Sequence, residues 1–289
     1  MQLTPYTHQH GDVIVNFIAA HNSDPQHHIG YFGTHPADIR NTIAEFVRED
    51  GTNFMLAWHE HKLVGVLGAD SDGDLGRAWL YGPLIVADDW HRIADVLYAQ
   101  LKPAIPSQAH EHELFFDRES RNCEAFAQRH GFQEHGDHAI LNFQREQLSH
   151  VPDIQLAVCP PDYAGQLTQL HDELFPNTYM TAQEMLDQQD EQHTVLVVCA
   201  DDQLLGYVCG RAEPEAGEGF IEYIGVAPHT QRRGIGKQLL QAILHWMFSL
   251  PTIQRTDLVV SMTNEAAIGL YRATGFTTER IMRAYRTAG

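Results

Sequence analysis

Residues 226–237 combine two glycines with three cations directly after an apolar stretch, a pattern that can bind an anion. The segment has the sequence VAPHTQRRGIGK, and helical spacing of apolar residues follows its glycines. The first turn of a helix presents free backbone N–H groups and the positive end of the helix dipole. Glycine also removes the Cβ that would hold a phosphate away from the backbone. The segment therefore predicts a phosphate-binding loop, and the alternative is a solvated basic turn.

Two motifs in this part of the chain resemble those of the GCN5-related N-acetyltransferase (GNAT) family. Residues 231–236 (QRRGIG) are similar to its motif of Gln or Arg, two variable residues, Gly, one variable residue, and Gly or Ala. Residues 264–276 (NEAAIGLYRATGF) are similar to its Asn-x-x-Ala-x-x-x-Tyr-x-x-x-Gly-Phe segment. The close resemblance covers residues 194–286. In layout the chain is similar to tandem members of the family such as mycothiol synthase, although layout alone is an analogy.

The resemblance implies that acetyl-CoA binds as a co-substrate, with no metal. Backbone N–H groups of the 231–237 loop would hold the pyrophosphate, and the edge of the strand ending at Val226 would pair with the pantetheine arm. Asn264 would hydrogen-bond the pantetheine, and it is also a good helix N-cap, so both roles can hold. The implied cofactor-binding residues are Ile224, Gly225, Val226, Gln231, Arg232, Arg233, Gly234, Ile235, Gly236, Lys237 and Asn264.

Two further residues are candidates for proton transfer in the reaction that the resemblance implies. An amine with a pKa of about 10 is mostly protonated at neutral pH, so a base is needed before it can attack a thioester. Strand alternation predicts that Glu222 shares a face with Ile224 and Val226, and Glu222 is the candidate base. The alternative is a rim carboxylate paired with an arginine. The family's candidate acid for the leaving thiolate corresponds to Tyr271, whose alternative role is packing on a helix.

The acceptor is expected to be a small-molecule or peptide amine. Residues 151–230 hold one arginine against 14 carboxylates, a net charge of −13, whereas residues 231–289 hold eight cations and three carboxylates, a net charge of +5. In the family the acceptor side precedes the cofactor side, so a negative field would attract a cationic amine. A generally acidic surface is the alternative. Phe175 and Tyr179, between two predicted helices, and Tyr285 on the last strand are candidate substrate-binding residues.

The chain repeats one pattern of elements twice. Leu63-Val64-Gly65 and Arg129-His130-Gly131-Phe132 correspond to Leu204-Leu205-Gly206 and Ala273-Thr274-Gly275-Phe276, at offsets of 141 and 144 residues. Each half predicts two helices, a strand pair, a central strand, a long helix, a strand, a short helix and a last strand. The predicted fold class is therefore α/β with two tandem GNAT domains, residues 1–148 and 149–289. Each domain is a mixed, mostly antiparallel sheet flanked by helices.

The first half lacks the residues of the predicted site. When the two repeats are aligned, the first half has other residues at the positions of both loop glycines, the candidate base and the candidate acid. Asp88 and Asp89 also place negative charge where a phosphate would bind. We therefore expect a degenerate first domain that acts as a structural partner. The residues that stand in place of the motif residues are Leu80, His91, Ala94, Val96, Ser120 and Ala127.

Composition limits the remaining possibilities. The chain has 289 residues and a formal charge of −19, which disfavours nucleic acid and anionic membranes as partners. The sequence predicts neither a membrane span nor a secretory signal, and four scattered cysteines favour a cytoplasmic location. The 19 histidines show no zinc-ligand spacing. We expect a monomer with pseudo-dimeric domains or a homodimer. Alternative functions are a non-catalytic acyl-CoA sensing module and acetylation of protein N-termini.

Overall fold

The computed structural model describes residues 1–287, and it contains every helix and strand that the repeat predicts. The elements of the first half are β1 (Gln2–Pro5), α1 (Gly11–His21), α2 (Pro36–Phe46), β2 (Phe54–His59), β3 (Lys62–Asp72), β4 (Arg77–Ile85), α3 (Trp90–Leu101), β5 (Glu111–Asp117), α4 (Arg121–Arg129) and β6 (Gln133–Gln144).

The second half follows the same order. Its elements are β7 (Ala157–Val158), α5 (Ala164–Leu174), α6 (Ala182–Asp187), β8 (His193–Ala200), β9 (Gln203–Glu213), β10 (Glu218–Val226), α7 (Ile235–Ser249), β11 (Arg255–Ser261), α8 (Glu265–Thr274) and β12 (Thr277–Arg286). The sequence did not predict β1 and β7. Both are too short to show an alternating pattern, with four and two residues.

The chain forms two compact units, which differ from the halves of the repeat. Unit 1 comprises Met1–His138 together with the chain from Arg280 onward, and unit 2 comprises Ala139–Glu279. The predicted boundary between residues 148 and 149 follows the repeat instead. The difference arises at the last strand of each half, because β6 and β12 are both divided between the units.

Unit 1 is a mixed, mostly antiparallel sheet with flanking helices. Its strand order is β1-β2-β3-β4-β5-β12, in which β4 and β5 are parallel and the other pairs with a described register are antiparallel. The segment of β12 in this unit lies beside β5, with Met282 opposite Asp117 and Tyr285 opposite Leu114. Tyr285 is 3% exposed and stacks on Phe116, with ring centroids 5.7 Å apart, so it belongs to the core of this unit.

Unit 2 repeats the arrangement. Its strand order is β6-β11-β10-β9-β8-β7, with β10 and β11 parallel, and β9 antiparallel to both β8 and β10. Helix α7 covers one face, where a Cβ on Gly210 or Gly219 would collide with Met247. Helix α5 covers the other face, where a Cβ on Gly225 would collide with Leu174. The predicted fold class is therefore confirmed.

Local signals in the sequence also agree with the structure. The predicted capping box is present at α6, where the Thr181 side chain accepts from the Glu184 backbone N–H and the Glu184 carboxylate accepts from Thr181. Gly275 ends α8 with a φ of 117°, a conformation that favours glycine. Within residues 1–287, no helix has both the length and the apolar character needed to cross a membrane.

Replacing Tyr285 by Ala tests the contribution of β12 to unit 1. Loss of this buried aromatic should lower the free energy of unfolding of unit 1 by about 3–5 kcal/mol. Urea unfolding is measured by fluorescence in a Trp246→Phe background, in which the three remaining tryptophans all belong to unit 1. Thr278→Ala, at an exposed position of the same strand, is the control. An unchanged midpoint for Tyr285→Ala contradicts the assignment.

Candidate functional site

The two parallel strands of unit 2 separate halfway along β10. Their pairing runs from Glu218 opposite Arg255 to Ile221 opposite Leu258, and β10 continues to Val226. Among residues 1–287, no register to β11 is present beyond Ile221. The edge of β10 from residue 222 to 226 therefore presents backbone N–H and C=O groups that an extended ligand can pair with, as an added strand does.

The loop after β10 leads directly to the start of α7. Gly234 is the N-cap of α7, with a φ of 83° and no side-chain hydrogen bond to the first turn of the helix. A Cβ on Gly236 would lie 3.1 Å from Leu270, so this glycine allows α8 to pack closely on α7. The uncapped first turn leaves backbone donors available for an anion, as the sequence predicts.

Positive charge surrounds this helix start. Arg232, Arg233 and Lys237 are exposed, and in the described part of the chain none of them forms an ion pair. Arg232 has a φ of 61°, which turns the loop before Gly234. The Gln231 side chain donates to the Val226 carbonyl at 3.4 Å and links the two ends of the loop. The site therefore combines backbone donors with three cations at one helix end.

A β-bulge changes the predicted position of Glu222. The register with β9 shifts between Ile221 and Tyr223, so the side chains of these two residues lie on opposite faces. Ile221 is opposite Gly210 on the α7 face, whereas the Tyr223 ring contacts His171 of α5. Glu222 lies on the α5 face. The predicted shared face with Ile224 and Val226 is wrong, because the extra residue of the bulge reverses the alternation.

Glu222 is nearly buried, and both of its carboxylate oxygens accept hydrogen bonds. Its side chain is 7% exposed. Arg211 donates through Nε to Oε1 at 2.7 Å, and the Tyr179 hydroxyl donates to Oε2. Arg211 also pairs with Glu213 and lies over the Phe220 ring. The pairing with an arginine, one of the two environments considered from the sequence, is therefore present.

The segment between α5 and α6 brings Tyr179 to Glu222 and Phe175 to the neighbouring Tyr223. Phe175 and Tyr179 both contact the Tyr223 ring, at centroid distances of 5.1 and 5.6 Å. The Thr178 and Tyr223 hydroxyls are 2.6 Å apart. Desolvation and the charge of Glu222 raise the pKa of Tyr179 well above its usual value, so its hydroxyl is protonated and donates. Tyr285, the third candidate, lies instead in the core of unit 1.

A buried polar pair beneath this segment was not predicted. His171 is 1% exposed; its Nε2 donates to the Met180 carbonyl at 2.9 Å and its Nδ1 accepts from the Tyr207 hydroxyl at 2.6 Å. Burial lowers the pKa of His171, so the ring is neutral. His171 lies four residues after Leu167, on the apolar face of α5. This helical spacing is the sequence signal that indicates its burial.

Tyr271 and Asn264 occupy structural positions on α8. Tyr271 is 5% exposed and packs on Phe276, and burial raises the pKa of its hydroxyl to about 12. The Asn264 side chain accepts from the Ala267 backbone N–H at 3.1 Å and caps the helix. The packing and capping roles considered from the sequence are therefore both present. The cofactor and acid roles stay predictions.

The corresponding helix of the first half has a different start. By the repeat, the first residue of α7 corresponds to residue 95, but α3 already begins at Trp90. The loop that precedes α7 is thus replaced by a helical turn. Asp89 is the N-cap, and its carboxylate pairs with Arg92. Negative charge at this helix end opposes the binding of a phosphate.

No group of three side chains in the described part of the chain has an arrangement that could hold a metal ion. The candidate site consists of an open strand edge, a basic helix start and the Glu222 cluster.

The family model described as Acetyltransferase (GNAT) family matches residues 164–276. A mycothiol acetyltransferase of Streptomyces griseus subsp. griseus is 34% identical over 89 residues, which cover 30% of this chain and 28% of the relative. A ribosomal protein bS18-alanine N-acetyltransferase of Salmonella typhimurium is 33% identical over 99 residues, 34% of this chain and 64% of the relative. The chain thus matches less than a third of the length of the first relative.

A solved structure of similar fold covers nearly the whole chain. A tandem GNAT protein from the clavulanic acid biosynthesis pathway has a TM-score of 0.69 at 15% identity, with 99% of this chain and 98% of that chain covered. Residues 164–276 thus match the GNAT family model, and the whole chain has the fold of a tandem GNAT protein.

Replacing Tyr207 by Phe tests the buried pair. His171 Nδ1 loses its donor, so the free energy of unfolding of unit 2 should fall by about 1–3 kcal/mol. Because the pKa of His171 is lowered in the folded state, its neutral ring stabilises unit 2 above the unfolded value of 6.5. This stabilisation is lost as the pH falls through the lowered pKa.

Hydrogen exchange of unit 2 peptides in urea, at pH 7.5 and pH 5.5, measures both effects. Tyr163→Phe, outside the buried pair, serves as the control. Equal protection in Tyr207→Phe and the wild type contradicts the role of this pair.

Proposed function

We propose that this chain is an acetyl-CoA-dependent N-acetyltransferase whose active site lies in unit 2. One observation carries the proposal: the open edge of β10 leads directly into the uncapped, basic start of α7. An extended arm with a pyrophosphate at its end matches this arrangement. The arm pairs with a strand edge, and the phosphates take backbone N–H groups and nearby cations.

The residues of unit 2 fit acetyl-CoA. Residues 231–237 would hold the pyrophosphate, and residues 224–226 would pair with the pantetheine. Asn264 is exposed on the neighbouring helix and is available to the same arm. Bound acetyl-CoA would supply the acetyl group as a thioester, with a thiolate as the leaving group.

Glu222 and Tyr271 would move protons for a direct transfer in a ternary complex. Glu222 accepts the proton that the ammonium group of the acceptor must lose, and the nitrogen keeps its electron pair for attack. The pKa of about 12 keeps the Tyr271 hydroxyl protonated at neutral pH, so it can donate to the leaving sulfur. Since no cysteine lies in either motif, no covalent acetyl-enzyme is proposed.

A cationic amine is the proposed acceptor. Cross-strand pairing places Glu218 and Phe220 of β10 on one face with Glu213 of β9 and Asp257 of β11. Desolvation raises the pKa of Asp257 to about 6. The carboxylates of this face are Glu213, Glu218, Glu222 and Asp257, and its cations are Arg211 and Arg255. The excess of negative charge favours an approaching ammonium group.

Acetylation of a protein N-terminus is the second candidate. The relative from Salmonella typhimurium is named for that activity, and its similarity covers 34% of this chain. We propose unit 1 as a structural partner, because α3 starts where the anion-binding loop would be.

Replacing Gly234 by Ala tests the cofactor site. The φ of 83° is unfavourable for a residue with a Cβ by about 1–2 kcal/mol, so the loop will shift and the Kd for acetyl-CoA should rise about tenfold. Isothermal titration of the full chain should give one site in the wild type. Gly165→Ala, at a helical position with open space, should bind as the wild type does. A stoichiometry of two would contradict the proposed role of unit 1.

Glu222→Gln and Tyr271→Phe test the chemistry. Each should lower kcat by about 10²-fold, since each removes one proton-transfer group, while the Kd for acetyl-CoA stays within twofold. Turnover is measured by release of the free CoA thiol in a screen of amines that includes polyamines and peptide N-termini. Glu173→Gln, at an exposed position of α5, is the matched control. Unchanged rates in both variants exclude the assigned roles.

A further inference from the structure

Glu222 is poorly placed to meet an acceptor directly. Its side chain is 7% exposed, and its two oxygens already accept from Arg211 and from Tyr179. The β-bulge holds it on the α5 face beside Tyr223. A substrate amine that approaches from solvent therefore meets the groups that cover the carboxylate before it meets the carboxylate itself.

Tyr179 is the more exposed residue of this pair. It is 52% exposed, on the segment between α5 and α6, while its hydroxyl donates to Glu222 Oε2. A phenol oxygen that donates one hydrogen bond still has lone pairs that can accept another. When an ammonium group reaches the Tyr179 oxygen, this oxygen can therefore accept from it and donate to Glu222 at the same time.

We propose that Tyr179 relays the proton from the acceptor amine to Glu222, a role that rests on the proposed function of this site. The ammonium N–H bond breaks and the nitrogen keeps the electron pair. The Tyr179 oxygen gains that proton and passes its own to Glu222 Oε2. The amine and Glu222 end neutral, and Tyr179 ends as it began. Glu222 later returns the proton to solvent.

The groups around the pair suit this direction of transfer. Arg211 holds Glu222 Oε1, so Oε2 is the oxygen that receives the proton. Arg211 also pairs with Glu213. Burial and the charge of Glu222 raise the pKa of Cys209 to about 12, and burial raises that of Tyr223 to about 12, so both stay protonated. Tyr179, an exposed residue, thus carries the hydroxyl that is hydrogen-bonded to the carboxylate.

The Tyr179→Phe variant distinguishes two roles of Tyr179: a proton relay, and an aromatic clamp whose ring only packs on the substrate. The phenyl ring keeps the packing on Tyr223 and loses only the hydroxyl, so a clamp predicts little change. The relay predicts a kcat lowered about 10²-fold, with the KM for the amine within twofold. The double variant Tyr179→Phe/Glu222→Gln should be no slower than Glu222→Gln alone, because both groups serve one transfer. Tyr163→Phe is the control and should match the wild type.

A second measurement does not depend on turnover. Tyrosines carrying ¹³C at the ring carbon bonded to oxygen are observed by NMR at neutral pH, and the Tyr179 signal is identified by its loss in Tyr179→Phe. In Glu222→Gln the Tyr179 hydroxyl loses its charged hydrogen-bond acceptor, so the Tyr179 signal should shift. An unchanged signal shows that the hydroxyl is not bonded to Glu222 and overturns the relay.

The kinetic outcomes distinguish the two proposals. If the wild type acetylates an amine and Tyr179→Phe retains its kcat within twofold, or loses activity only through KM, the relay is wrong and the acetyltransferase stands. If the wild type neither binds acetyl-CoA nor acetylates any amine, the proposed function fails, and the relay fails with it.

Discussion

The separation of β10 from β11 beyond Ile221 is the constraint on which the site depends. Two parallel strands that stayed paired to their ends would bury every N–H and C=O group of β10 in the sheet. Because they separate, five residues keep one edge unpaired, and their polar groups require water or a ligand. The same strand ends at the loop before α7, so the open edge and the free donors of the helix form one continuous candidate site.

Unit 1 has the same sheet geometry without the loop that precedes α7 in unit 2. Its parallel strands β4 and β5 also pair only as far as Leu80 and Leu114. What differs is the next segment, where α3 begins early and carries Asp89 at its N-cap. The sheet geometry depends on apolar alternation, which both units share. The proposed anion binding depends on a few loop residues, which are free to change without loss of the core.

The sequence predicted the elements well, because alternation and helical spacing are local properties of the chain. It also placed the loop of glycines and cations at the start of α7, because these residue types at a helix start form a local pattern. The face of Glu222 was predicted wrongly, because one inserted residue at the bulge reverses the alternation and leaves no clear trace in composition. The Arg211–Glu222 pair depends on the register between two strands. The positions of β12 beside β5 and of β6 beside β11 depend on pairing between residues that are distant in the chain. Neither can be obtained from local patterns.

The position of β12 has a consequence for how the protein is made. The segment from Arg280 to Arg286 completes unit 1 by pairing with β5, about 170 residues earlier in the chain. All of unit 2 is synthesised between these two strands. A nascent chain therefore presents β5 with an unfilled edge while unit 2 emerges, so the unit whose translation begins first is the unit whose sheet is completed last. The order in which the two units begin to be translated is therefore opposite to the order in which their sheets are completed.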